Sequence, residues 1–143
     1  MDTLAAFMTA DHNACDDHFV LAEKAAYANN WQEAESAFNT FLTGMKHHFR
    51  MEETQLFPAL IEAGGPSGPV QMMLMEHEQM NSLLDNMAIA MKQHDAQGYN
   101  GLSETLLIVM QQHNLKEEQI LYPIAERLLA NGWPALLGRM QAV

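Results

Sequence analysis

Apolar residues recur along most of the chain at the three- and four-residue spacing that places them on one face of an α-helix. The pattern is interrupted at Asn29-Asn30, at the Gly-Gly-Pro-Ser-Gly-Pro segment of residues 64–69, and between Gln93 and Asp95. We therefore predict four long helices, the second of which bends or ends around Pro58. Their approximate limits are residues 3–28, 30–58, 69–93 and 95–130.

Residues that suit helix ends support these limits. Asn30 can cap the second helix, and Glu33 stands at the reciprocal position of a capping box. Asp95 follows Asn30 by 65 residues and is the matching cap of the fourth helix. Pro69 suits the first turn of the third helix, where a missing N–H removes no hydrogen bond.

Four helices with short connections predict an all-α fold, a four-helix bundle. Trp133 and the proline after it predict a short C-terminal helix, at about residues 133–141, that covers one end of the bundle. We expect a single domain over residues 1–143, with the bundle at about 3–130. A chain of 143 residues suits one core, and no linker or low-complexity tract divides it.

Composition excludes several classes of function. The chain has 18 acidic residues against 7 Lys or Arg, which disfavours nucleic acid as a partner because phosphate binding needs clustered cations. No apolar run reaches the roughly 18 residues of a membrane span, and the N-terminus lacks the basic start of a secretory signal. We expect a soluble cytoplasmic protein that binds neither nucleic acid nor membrane, and the single Cys15 fits a reducing compartment.

The candidate chemistry lies in a repeated pattern. A lone histidine is followed 36 residues later by His-x-x-x-Glu, and the whole arrangement recurs 65 residues further along the chain. Residues four apart share a helix face, so each His-x-x-x-Glu pair presents a nitrogen and a carboxylate to one point. The six matched residues are His12, His48, Glu52, His77, His113 and Glu117.

Four imidazoles and two carboxylates turned into an apolar core predict a metal site. Without cations, the burial of such a set would carry a heavy desolvation cost. Mixed nitrogen and oxygen ligands suit iron, manganese or zinc, whereas calcium and magnesium prefer oxygen alone. Two carboxylates among six ligands favour two ions bridged by the glutamates. Six ligands shared by two octahedral ions also leave positions for water, oxide or a small exogenous molecule.

Other polar residues lie near the pattern without belonging to it. The 65-residue shift carries His18, His47 and His94 onto other residue types, and we interpret them as surface or hydrogen-bonded histidines. Glu53 and Glu118 directly follow the matched glutamates. We interpret them as solvated carboxylates, although either would reach a metal if the helical register differed.

Sulfur-containing residues are interpreted as packing residues. Cys15 lies one helical turn from His12, where a thiol could approach the site, but a buried cysteine usually acts as a small apolar residue. The methionines of the third helix fall at several angles around it, which favours core packing over binding of a soft metal.

The ordered motifs resemble those of the hemerythrin-like HHE cation-binding domain over roughly residues 3–130. The resemblance implies an antiparallel up-down four-helix bundle around an oxo- or hydroxo-bridged non-haem di-iron centre. It implies terminal nitrogen ligands at His12, His48, His77 and His113 and bridging carboxylates at Glu52 and Glu117. The motifs that carry it are Asp11-His12, His48-x-x-x-Glu52-Glu53 before Leu56-Phe57-Pro58, Glu76-His77, and His113-x-x-x-Glu117-Glu118 before Leu121-Tyr122-Pro123.

The chain departs from the oxygen-carrying hemerythrins, which use five histidines. Met73 and Asn81 stand four residues before and after His77, so the additional histidine of those proteins is missing. The four-His, two-Glu set is instead similar to the di-iron domains of proteins that repair iron centres under nitrosative stress, and to iron-sensing hemerythrin-like domains.

Together these features predict a non-haem di-iron protein that binds two iron ions and a small ligand, which is dioxygen, nitric oxide or peroxide, in sensing, binding or detoxification. Two alternatives use the same site. One is an enzyme or iron donor in the repair of iron centres under nitrosative or oxidative stress, and the other is an oxygen carrier or store, or an iron sensor. The balance favours a binding protein. An enzyme with this site would be a di-iron oxidoreductase and would use a redox partner protein.

Overall fold

The computed structural model describes residues 3–143, and every regular element within them is helical. Two π-helical segments join α2 to α3 and α5 to α6, and a 3-10 turn at Ala130–Gly132 leads into α7. The α-helices are α1 (Leu4–Tyr27), α2 (Trp31–Met51), α3 (Phe57–Glu62), α4 (Ser67–Lys92), α5 (Ala96–Lys116), α6 (Tyr122–Leu129) and α7 (Trp133–Gln141).

These elements form four long rods, because each π-helical segment continues the helix before it. The rods are α1, α2 with α3, α4, and α5 with α6. α1 packs against α2 and α5, and α4 packs against α5 and α2. The predicted all-α, antiparallel up-down four-helix bundle with a short C-terminal helix is confirmed.

The predicted caps are present at both tight hairpin turns. The Asn30 side chain accepts a hydrogen bond from the Glu33 N–H at 3.4 Å, and the Asp95 carboxylate accepts one from the Gly98 N–H at 3.0 Å. The residues just before these caps, Asn29 and His94, both have left-handed backbones, with φ of 57° and 54°. The 65-residue repeat therefore extends to the backbone conformation of the turns.

The π-helical segments Glu52–Leu56 and Glu117–Leu121 are a feature that helical periodicity did not predict. In each, the N–H of the residue five positions after the glutamate bonds to the glutamate carbonyl, from Phe57 to Glu52 and from Tyr122 to Glu117. A proline follows each of these aromatic residues, and its ring crowds the preceding turn, which fits a wider turn there. The i+5 residue therefore returns to the face of the glutamate, whereas an α-helix would turn it away by roughly 140°.

Two apolar clusters fill the bundle on either side of a polar layer. One contains Phe19, Phe38 and Phe41, and the other contains Leu60 and Trp133, the latter from the covering helix α7. Among the described residues, the buried polar side chains are Ser103 and the six of the repeated pattern. None of the helices in residues 3–143 has the length and hydropathy that crossing a bilayer requires.

Candidate metal centre

The six residues of the repeated pattern meet in one buried layer of the bundle. α1, α2, α4 and α5 each supply one histidine, and the first residue of each π-helical segment supplies a glutamate. No residue of the set is more than 4% exposed. The residues that share the repeated spacing thus form a single buried cluster, which consists of His12, His48, Glu52, His77, His113 and Glu117.

The histidines form two pairs, one in each helical hairpin. The rings of His12 and His48 have centroids 4.4 Å apart, and those of His77 and His113 are 5.0 Å apart. His77 Nε2 lies 3.0 Å from Glu52 Oε1, and His12 Nε2 lies 3.1 Å from Glu117 Oε1. Adjacent donors around one octahedral ion with bonds of about 2.1 Å are separated by about 3 Å, so this spacing suits shared cations.

Both glutamates lie between the two histidine pairs. Glu52 directs Oε1 towards His77 and Oε2 towards His48, at 3.0 and 3.5 Å from the respective Nε2 atoms. Glu117 Oε1 lies within 3.2 Å of Nε2 of both His12 and His113. Each carboxylate can therefore contribute to a cation position at either pair.

Unpaired polar atoms test whether a metal fits this cluster. Within residues 3–143, the buried atoms Glu52 Oε1, His77 Nε2, His113 Nε2 and Glu117 Oε2 have no hydrogen-bond partner in good geometry. Each unpaired buried group costs about 1–3 kcal/mol. These four residues are one of two groups whose donor atoms lie within 4.8 Å of one another, the second being His12, His48 and Glu117. One cation could therefore be held by all four residues.

A carboxylate stands behind every histidine of the cluster. Each imidazole Nδ1–H donates to an acidic residue outside the six, and these acceptors obey the 65-residue shift among themselves. Such a bond fixes the tautomer and leaves Nε2 free to bind a metal, which is the common arrangement behind metal-bound histidines. The pairs are His12 with Glu118 at 2.7 Å, His48 with Asp11 at 2.7 Å, His77 with Glu53 at 2.7 Å, and His113 with Glu76 at 2.8 Å.

Glu53 and Glu118 are thus more than solvated carboxylates. Their side chains are 38% and 31% exposed, so they do contact solvent, but each also orients a histidine from another helix. The interpretation from the sequence was incomplete because these histidines lie on other helices, far away in the sequence, and only packing of the helices brings each pair together.

The charges of the cluster shift its pKa values when no metal is bound. Burial alone would lower the pKa of His48, but the charge of Glu52 and a hydrogen bond with Asp11 outweigh it and raise that pKa to about 10. Burial would likewise lower the pKa of His113, but the hydrogen bond and the charge of Glu117 outweigh it and raise that pKa to about 9. Burial would raise the pKa of Glu52, but the charge of His48 holds it well below its usual range. In the metal-free protein, protons on these imidazoles therefore supply the positive charge that metal cations would otherwise bring to the two glutamates.

Tyr122 is a residue of the cluster that analysis of the sequence missed. Its buried hydroxyl donates to Glu52 Oε2 at 2.6 Å and contacts Glu117 Oε1 at 2.9 Å. Burial and the charges of the two glutamates raise its pKa well above the usual range, so the phenol keeps its proton here. The available signal was the hydroxyl group of Tyr122 at the position where the first half of the repeat has Phe57.

The remaining histidines lie outside the cluster. His18 and His47 line a shallow groove between α1 and α2 together with Cys15. His94 is 51% exposed, stacks on Trp31 and lies 3.1 Å from Glu35. None of the three histidines belongs to a candidate metal group among the described residues.

Cys15 is buried as expected of a packing residue, at 6% exposure. Burial, aided by the charge of Asp11, raises the pKa of its thiol to about 12, so it stays protonated near neutral pH.

Comparison with known proteins identifies a family. The model described as the hemerythrin HHE cation binding domain matches residues 3–125, which include every residue of the cluster, the first three rods, and the fourth rod as far as Ala125. No curated protein and no solved structure gave a match.

Proposed function

The chain belongs to the hemerythrin family of HHE cation-binding domains, and we propose that it is a non-haem di-iron protein whose centre binds a small diatomic ligand or peroxide. The observation that carries the proposal is the buried layer in which two histidine pairs share both glutamates. His12, His48, His77 and His113 would hold the two ions as terminal ligands, and Glu52 and Glu117 would be shared between them.

The donor set and the family support a bound cation, for which we propose iron. Imidazole and carboxylate together suit iron, and the matching domain is described as cation binding. Structural zinc sites are usually closed by four ligands, often thiolates, whereas this cluster has six nitrogen- or oxygen-bearing side chains and its nearby Cys15 remains a thiol.

Small ligands are favoured because the layer is closed to larger ones. Every donor side chain is at least nine-tenths buried, and the Phe49 ring stacks on His77 with centroids 4.0 Å apart. Six protein ligands on two six-coordinate ions leave vacant positions, and iron supplies redox chemistry there. The protein residues hold and orient the ligands, exclude bulk water, and limit access to molecules of a few atoms.

The first prediction separates a reversible oxygen carrier from the other roles. The oxygen-carrying hemerythrins resemble this chain but have a fifth histidine, and here no further histidine stands one turn before or after His77 to supply that nitrogen. We expect the anaerobically reduced protein to oxidise rapidly in oxygenated buffer without a reversible oxygen complex, and to bind nitric oxide. Stopped-flow absorption spectroscopy measures both reactions.

Repeated turnover with an added electron donor would identify an enzyme. An oxygen complex that persists for many minutes and releases dioxygen under vacuum would contradict the prediction and restore the carrier function.

A further inference from the structure

We propose that Tyr122 is a seventh protein ligand, bound to the ion at His12 and His48, so that the two metal positions are chemically different. The inference rests on the proposed di-iron function and adds a ligand outside the repeated pattern. It also assigns that ligand to one position of the two.

The position of the hydroxyl carries the inference. Tyr122 Oη lies 2.6 Å from Glu52 Oε2, 2.9 Å from Glu117 Oε1, and 3.3 Å from Nε2 of both His12 and His48. These are the separations expected between neighbouring donors that share an ion with bonds of about 2.1 Å. A residue that only filled space at this point would place carbon against the four donor atoms.

The other half of the molecule provides an internal comparison. Phe57 occupies the position that corresponds to Tyr122, and its ring lies on His77 with centroids 5.9 Å apart and planes at 26°. The ring of Tyr122 lies on His12 at 5.7 Å and 28°. The two rings thus have nearly the same pose, and the difference between the halves is one hydroxyl group.

The unpaired atoms follow the same asymmetry. Nε2 of His77 and His113 have no hydrogen-bond partner in good geometry, whereas Nε2 of His12 and His48 both contact the phenol oxygen. The position at His77 and His113 therefore has four donors that await a cation. The position at His12, His48 and Glu117 has an additional donor, which is the phenol oxygen of Tyr122.

Ligation changes bonds but transfers no electrons. The phenol O–H bond breaks, an oxygen–metal bond forms, and the proton leaves to solvent. An anionic oxygen ligand favours the ferric over the ferrous ion. The ion at His12 and His48 should therefore be harder to reduce and slower to leave than the ion at His77 and His113.

The experiment uses the iron-loaded, oxidised chain and three variants. Tyr122→Phe removes the hydroxyl and keeps the ring. The swap variant Phe57→Tyr/Tyr122→Phe moves the hydroxyl to the other position. Tyr99→Phe is the matched control, because Tyr99 is equally buried, its hydroxyl has no hydrogen-bond partner, and its ring packs on Phe38 in the apolar cluster.

We expect the wild type to show a phenolate-to-iron absorption band in the visible range, with resonance Raman bands that shift when ring-deuterated tyrosine is incorporated. Tyr122→Phe should lose both signals while it retains two irons, the swap variant should recover them, and Tyr99→Phe should not change them. Chelators should remove iron from the wild type in two phases. The slower phase should accelerate by about tenfold or more in Tyr122→Phe.

The outcomes distinguish this inference from the proposed function. Two irons in a wild type that lacks isotope-sensitive tyrosinate bands would overturn the ligand role and leave the di-iron proposal intact. A spectrum that Tyr122→Phe leaves unchanged would do the same. A chain that cannot hold two irons would overturn both proposals. The wild-type isotope shift decides the question even if a variant fails to fold.

Discussion

Glu52→Ala and Glu117→Ala are each expected to abolish the paired metal site. Glu52 faces His77 and His48 through different oxygens, and Glu117 lies near both His12 and His113 through Oε1. Either substitution removes a ligand from both proposed positions. We expect fewer than two irons per chain, no magnetic coupling, and a loss of affinity larger than the roughly 10- to 100-fold that follows when the partner of a metal ligand is removed.

Two neighbouring glutamates serve as comparisons. Glu53→Ala removes only the hydrogen bond to His77 Nδ1, so its affinity should fall within that 10- to 100-fold range and saturating iron should restore the pair. Glu62→Ala alters an exposed residue at the end of α3 and should bind iron as the wild type does. Equal losses in Glu52→Ala and Glu53→Ala would mean that the helical register assigned to the ligands is wrong.

Removal of iron is expected to lower the melting temperature by about 10 °C at neutral pH. A ligand present at 100 times its dissociation constant stabilises the folded state by about 2.7 kcal/mol, and each kcal/mol shifts the melting temperature of a chain of this size by roughly 3–4 °C. The metal-free cluster also retains unpaired buried atoms that a cation would satisfy. Thermal unfolding followed by circular dichroism, with and without iron, measures the difference.

The dependence of this difference on pH has a defined sign. In the metal-free protein the raised pKa values of His48 and His113 contribute stability that is complete below about pH 6.5 and is lost as the pH rises towards 9–10. Iron must displace protons from the same imidazoles, so its affinity rises over that range. The gap between the two melting temperatures should widen from pH 6 to pH 8. Equal melting temperatures, or a gap that narrows, would contradict the account.

Much of the fold and of the candidate site follows from local rules. Helical periodicity and the caps at Asn30 and Asp95 located the bundle helices, because both depend on residues close together in the sequence. The repeated His-x-x-x-Glu spacing brought His48 with Glu52, and His113 with the second glutamate, to the same layer, because the α-helix persists up to each glutamate.

The features that could not be predicted from the sequence lie in or just after the π-helical segments, where the α-helix ends. Tyr122 follows Glu117 by five residues, and α-helical geometry directs such a residue away from the site. The π-helical turn reverses that direction, and it depends on local crowding before Pro123 that periodicity does not reveal. The role of Glu118 was missed for a further reason, since its partner His12 lies 106 residues away and only packing of the helices brings them together.

The amount and magnetic state of iron in the wild-type chain show whether the metal site holds a pair of ions. The protein should be matured with ample iron, analysed for metal content, and examined by Mössbauer spectroscopy in the oxidised state. We expect close to two irons per chain in a magnetically coupled pair, because two histidine pairs share two carboxylates. One iron per chain, or zinc in its place, would contradict the paired site.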